Sequence, residues 1–203
     1  MPFVLKKSDS IAVGTFNTYV FQPSHVGRLM ALSDNDPIGI ETDFSRPGLR
    51  MKFKCTDVVW EVRPERVVIE STARDDNCGV ILSKVLEWLP VTPISAVGHN
   101  FAYVGISADL PSFPREGPFG AQGAIDGYTE AQRTWHLALV RSDITFNLQV
   151  TIKPVEAVLS ANVNFTGGDS VSEAAIEFAR DFSALRQESA DLFVKLVGVK
   201  VSA

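Results

Sequence analysis

Only two cysteines, three histidines and three tryptophans occur among the 203 residues. Cys55 and Cys78 form no C-x-x-C pair, so zinc-ribbon and thioredoxin-type chemistry lack their usual sequence support. The histidines, His25, His99 and His136, lie far apart with no H-x-x-x-H spacing. No apolar run approaches the roughly 18 residues of a membrane helix, so no membrane partner is expected. A dense basic run is also missing and the net charge is −5, which argues against nucleic acid, whose affinity comes largely from phosphate neutralisation. Glycine (14) and proline (11) are too sparse for a collagen-like or low-complexity chain.

Motifs for chemistry fail in the same way. Gly117, Gly120, Gly123 and Gly127 precede no Lys-Ser or Lys-Thr, so they make no phosphate loop, and no G-x-S-x-G elbow occurs. The stretch that begins Asp34-Asn35-Asp36 puts Ile38 and Ser45 where a calcium loop needs oxygen ligands, the second of them bidentate. A turn rich in Asp, Asn and Pro explains it. The expectation is therefore no catalytic residue, no metal site and no cofactor. Lys6 and Lys7 follow a short apolar stretch, the reverse of a secretory leader, and together with the two cysteines this reads as a cytoplasmic protein.

What is present is a globular composition, 45% hydrophobic and 21% charged. Residues 1–70 carry nine basic and nine acidic side chains, whereas the remainder carry ten and fifteen, so the acidic excess is C-terminal. The clearest pattern is also there. Ile144, Phe146, Leu148, Val150 and Ile152 alternate with Thr145, Asn147, Gln149 and Thr151. After a short connection, Ala157, Leu159, Ala161, Val163 and Phe165 alternate with Val158, Ser160, Asn162, Asn164 and Thr166. Period-two patterning across a short link predicts a hairpin of half-buried strands, with Trp135–Arg141 as a third strand ahead of it. Ser170-Val171-Ser172-Glu173 reads as a capping box. Val171, Phe178, Leu185 and Leu192 then recur every seven residues, predicting a helix over 171–197 with a break near Ser183 and a stop at Gly198.

The first half repeats the plan more loosely. Strands are expected over Ile11–Phe21, Met51–Cys55, Val58–Val62, Val67–Thr72 and Ile94–Tyr103, and a helix from Asn77 to Leu89 ended by Pro90. Strands followed by a helix thus occur twice. This suggests related β-meander-plus-helix halves, 1–106 and 129–203, joined by a Pro/Gly-rich loop over 107–128. Identity between the halves is too low to establish duplication, and one domain over 1–203 is the reading adopted. The expected class is α+β, an antiparallel sheet of about six or seven strands with two main helices on one face.

Two features point toward function. Thr145, Asn147, Gln149 and Thr151 stand beside Ser160, Asn162, Asn164 and Thr166 with no charge among them. Solvated strands commonly carry Lys and Glu, so an uncharged polar face suits a surface covered by a second subunit, a protein partner or a water-lined cavity. The plainer account is a solvated β surface. The second feature is Val97-Gly98-His99-Asn100, a polar pair inside an apolar strand. Hydrogen bonding within the strand is the favoured account of it, and His136 reads as a cross-strand partner. The leading expectation is a non-catalytic cytoplasmic protein that forms a homo-oligomer or binds a protein partner through the uncharged face. The rival is a small-molecule-binding protein or enzyme whose pocket lies near His99, Asn100 and His136, walled by Trp60 or Tyr103 and covered by the 107–128 loop.

Overall fold

A computed structural model describes residues 2–33, 35–43, 49–55, 57–71, 77–110, 132–168 and 170–202. In chain order, the first half contains β1 (Phe3–Gly14), α1 (Pro23–Leu29), β2 (Gly39–Asp43), β3 (Arg50–Cys55), β4 (Val58–Arg63), β5 (Arg66–Ser71) and α2 (Asn77–Trp88). The second contains β6 (Ile94–Ile106), β7 (Arg133–Arg141), β8 (Ile144–Ile152), β9 (Glu156–Gly168), α3 (Glu173–Arg180), α4 (Phe182–Val197) and β10 (Val201–Ser202). One sheet runs β2-β3-β4-β5-β1-β6-β9-β8-β7, antiparallel throughout, and β10 adds to β1 in parallel.

The α+β class is as the sequence implies, but the described residues form ten strands and four helices rather than six or seven and two. The extra elements have weak signatures for physical reasons. β2, Gly-Ile-Glu-Thr-Asp, is exposed along its whole length and shows no buried alternation. β1 starts at Phe3 and ends at Gly14, not over 11–21, because two features disguise it. A register shift between Leu5 and Lys7 interrupts its alternation, and its inward positions include the small polar Ser8 and Ser10. Residues 18–20 form a 3-10 turn instead of strand.

The expected 171–197 helix is two helices that meet at Asp181. Its cap is Ser172, whose hydroxyl accepts from the Ala175 N–H at 3.1 Å, two residues later than the capping box that was expected. Gly198 ends α4 in the left-handed region at φ 73°, as expected of a C-terminal glycine. Ser107–Asp109 is a short 3-10 turn, and the rest of the 107–128 loop lies outside the described residues.

The core lies between the helices and one face of the sheet. Phe53, Trp60, Ile69, Phe101, Tyr103, Phe146, Leu159 and Val163 point into it, against Leu82, Leu86, Phe178, Phe182 and Phe193 from the helices. Where α2 meets α3 the backbones come very close. A Cβ built on Gly79 falls 2.3 Å from both the Ala179 carbonyl oxygen and the Phe182 Cβ, so glycine is required there. Cys55 and Cys78 are both buried and form no disulfide. Among the described residues no helix is long and apolar enough to cross a membrane.

Candidate functional site

Strand alternation sends every second side chain to the face away from the helices. Across the second half that outer face forms a grid. Asn100 of β6 pairs with Asn162 of β9, which pairs with Asn147 of β8, which pairs with Ala138 of β7. One row along stand Ala102, Ser160, Gln149 and His136, and on the other side Gly98, Asn164, Thr145 and Val140. None carries a formal charge with histidine neutral.

The asparagines are wired together. Asn147 Nδ2 donates to Asn162 Oδ1 at 3.3 Å, and Asn162 Nδ2 donates to Asn100 Oδ1 at 2.6 Å. Asn100 Nδ2 in turn donates to Asp9 Oδ1 at 2.6 Å, and Asn164 Nδ2 also donates to Asn162. The ladder thus ends on a carboxylate on β1. Burial pushes the Asp9 carboxyl above its ordinary value, against the opposing pull of the Asn100 hydrogen bond and the nearby Lys7 ammonium. Gln149 Nε2 donates to Thr151 Oγ1 at 2.9 Å. A groove of about 610 Å³ lies over this region, lined among others by Lys7, Asp9, Asn100, His136, Asn147, Gln149 and Asn162.

Across β1 the same face changes character. β3, β4 and β5 present Arg50, Lys52, Lys54, Glu61, Arg63, Arg66 and Glu70, and several of these are joined in ion pairs. Lys54 pairs with Glu41, Arg63 with Glu61, Arg66 with Glu61 at 3.4 Å and Lys7 with Glu70 at 3.0 Å. One continuous face is therefore half charged and half amide.

Of the residues singled out from the sequence, Thr145, Asn147, Gln149, Thr151, Ser160, Asn162, Asn164, Asn100 and His136 share this outer face. His99 does not. It points to the helices with 0% exposure. Its Nδ1 lies 2.9 Å from Ser10 Oγ and its Nε2 3.0 Å from the Phe178 carbonyl oxygen. The carbonyl can only accept, so Nε2 carries the proton and Nδ1 accepts from the serine. The ring stacks on Phe178 with centroids 4.8 Å apart and meets Phe182 edge-on. Burial lowers its pKa to about 4, partly offset by the Phe178 bond. His99 and Asn100 are sequence neighbours on opposite sides of the sheet, so a pocket shared by His99 and His136 does not form. Trp60 and Tyr103 lie in the core and wall no outer groove.

Lys7 and Asp9 belong to the groove and were not found from sequence. The strand expected over 11–21 begins after both of them, and nothing local marks Asp9 as facing an amide ladder. Among the described residues no cluster of three or more His, Cys, Asp or Glu side chains is placed to hold a metal ion. No protein-family model matches the chain, and no curated protein matches it.

Proposed function

We propose that this is a non-catalytic cytoplasmic protein that pairs with a second copy of itself through the uncharged outer face of β6, β9, β8 and β7. One observation carries the reading: among the described residues the outer face of β7, β8 and β9 bears a charge only at its margin, Glu156 at the start of β9, whereas β3, β4 and β5 present charged side chains along theirs. Each amide or hydroxyl there offers both a donor and an acceptor, so the face is complementary to itself under a two-fold rotation. A face of mixed fixed charges has no such freedom. Four strands spaced about 4.8 Å, with seven residues rising about 3.3 Å each, span a plane of roughly 440 Å². That is well below the roughly 800 Å² per partner of a standard interface, so the association is weak and concentration-dependent.

Light scattering across a concentration series tests this. The expected mass climbs from 22.1 kDa toward twice that value, and Asn147→Lys with Gln149→Lys holds it at the lower value without changing the melting temperature. A wild-type protein that stays monomeric at millimolar concentration refutes the proposal. So does a double variant that associates as well as wild type.

The groove supports a second reading, a small uncharged polar ligand, since about 610 Å³ lies within the usual range for ligand sites. Asn100 and His136 remain on its lining and His99 drops out. Thermal stabilisation by neutral polyols or amides that disappears in Asn162→Ala would favour this reading. Saturating concentrations without any shift would remove it.

A further inference from the structure

The strand pairings carry an internal symmetry that sequence identity does not reveal. In the first half a long strand, β1, is followed by a long connection, a three-stranded meander β3-β4-β5 whose last strand returns to β1, and a helix. In the second half β6, a long connection, the meander β7-β8-β9 returning to β6, and helices follow in the same order. β1 and β6 lie antiparallel at the centre, so a half-turn perpendicular to the sheet exchanges the two sets.

Pairing alone would permit that rotation in several registers. Two irregularities select one. β1 carries an extra residue, Lys6, between the pairs Leu5–Tyr103 and Lys7–Ala102. β6 carries its own, Ser95, between the pairs Gly14–Ile94 and Val13–Ala96. Superposing these two bulges puts the axis through the facing pair Ser10–His99. Independently, β3 and β4 close with Cys55 opposite Val58, and β7 and β8 close with Arg141 opposite Ile144, the same tight turn. Superposing the turns requires the same axis. Ser10–Ile69 then lands on His99–Val163, Trp60–Ile69 on Phe146–Val163, and Lys52–Glu61 on Ala138–Asn147.

We infer that the chain is two copies of one β-meander-helix unit fused end to end, with the β1·β6 seam as a retained dimer interface. The division falls in the Pro90–Pro93 turn rather than in the 107–128 loop. Two agreeing irregularities are hard to obtain from unrelated halves, because a bulge is a local, costly feature with no reason to recur at a symmetry-related place. The seam has the chemistry of an interface core: Phe101 faces Ser8 and Val97 faces Ala12, with the Ser10–His99 hydrogen bond between them. The outer grooves obey the same axis. Arg50, Lys52, Glu61 and Arg63 line a groove of about 320 Å³, and their equivalents His136, Ala138, Asn147 and Gln149 line the larger one. One ancestral groove has become two versions, one lined from the meander strands by charged side chains and one lined from them by neutral side chains, with Lys7 and Asp9 contributed to the second by β1. This inference stands whether or not the neutral face mediates self-association.

A specific protease site inserted into the full chain between Val91 and Thr92 tests it, at a turn where Val91 is 86% exposed. After cleavage of the folded protein, both fragments are expected to co-elute at the mass of the intact chain. After unfolding in urea and dialysis they are expected to recover the same circular-dichroism spectrum as a one-to-one complex. A second form of the same protein, carrying Val13→Cys and Ala96→Cys on facing positions of the seam, reports whether reassembly uses the native pairing. Oxidation of its refolded fragments is expected to give one cross-linked band. Fragments that part on gel filtration, fail to regain structure together, or refold without the cross-link would overturn the inference.

Discussion

Replacing the buried imidazole by an amide, His99→Gln, changes how stability depends on pH in a direction the structure fixes. In the folded chain the ring is neutral, shielded from water, and its pKa falls to about 4. In the unfolded chain it has the ordinary value of about 6.5. As pH drops, the unfolded state takes up the proton first, so the folded state loses stability through the window from about 6.5 to about 4. Above that window the contribution is fully present. Linkage over it amounts to about 2 kcal/mol already at pH 5 and roughly 3 kcal/mol below pH 4. His99→Gln cannot titrate. It is expected to cost about 1–3 kcal/mol at pH 7 for disturbed hydrogen bonds to Ser10 and Phe178. Between pH 7 and pH 5 it should then lose about 2 kcal/mol less than wild type. Urea titrations followed by tryptophan fluorescence at both pH values measure this directly. Asp9 and the other carboxylates titrate in both proteins and cancel in the comparison. Parallel pH dependences for the two proteins would show that His99 is not the buried neutral group described here.

Three further substitutions probe other parts of the structure. Asp9→Asn removes a desolvated carboxylate while keeping an acceptor for Asn100. Because burial raises the Asp9 pKa, its charge opposes folding at neutral pH and ceases to do so as pH falls. The variant should therefore unfold at higher urea than wild type at pH 7, and the gain should vanish near pH 3. Gly79→Ala drives a methyl into the α2–α3 contact and is expected to cost about 1–3 kcal/mol, read as a lower melting temperature. Gly198→Ala forces a side chain into the left-handed cap of α4, with an expected loss of about 1 kcal/mol by the same measurement.

The second half was the more legible from sequence because its strands obey one rule along their length. In β8 and β9 the inward positions are apolar and the outward ones, Val158 apart, polar, so the hairpin and the face both follow from period two. β1 breaks that rule with a bulge at Lys6 and serines facing the core, and the sequence offers no local substitute for knowing that Ser10 meets His99. The uncharged face was visible as a row of residue types. That Asn100 joins it while His99 turns away follows from strand alternation once the strand is placed, and Gly98-His99-Asn100 alone does not fix which residue points where. Lys52 and Lys54 alternate on the strand over 51–55 and belong to the charged half of the face, but its kinship to the neutral half emerges only from the register. Composition had diverged at each of those equivalent positions while backbone irregularities stayed in place.

Spin labels at Ala138→Cys and at Lys52→Cys, one per protein, occupy equivalent outward positions on the neutral and charged halves. The native cysteines are buried, so the introduced thiol takes the label. Electron–electron dipolar spectroscopy at high protein concentration is expected to give a short inter-chain distance for the label at 138, and a longer one or none for the label at 52. The reverse order, or no inter-chain coupling at either position, would contradict association through the neutral face.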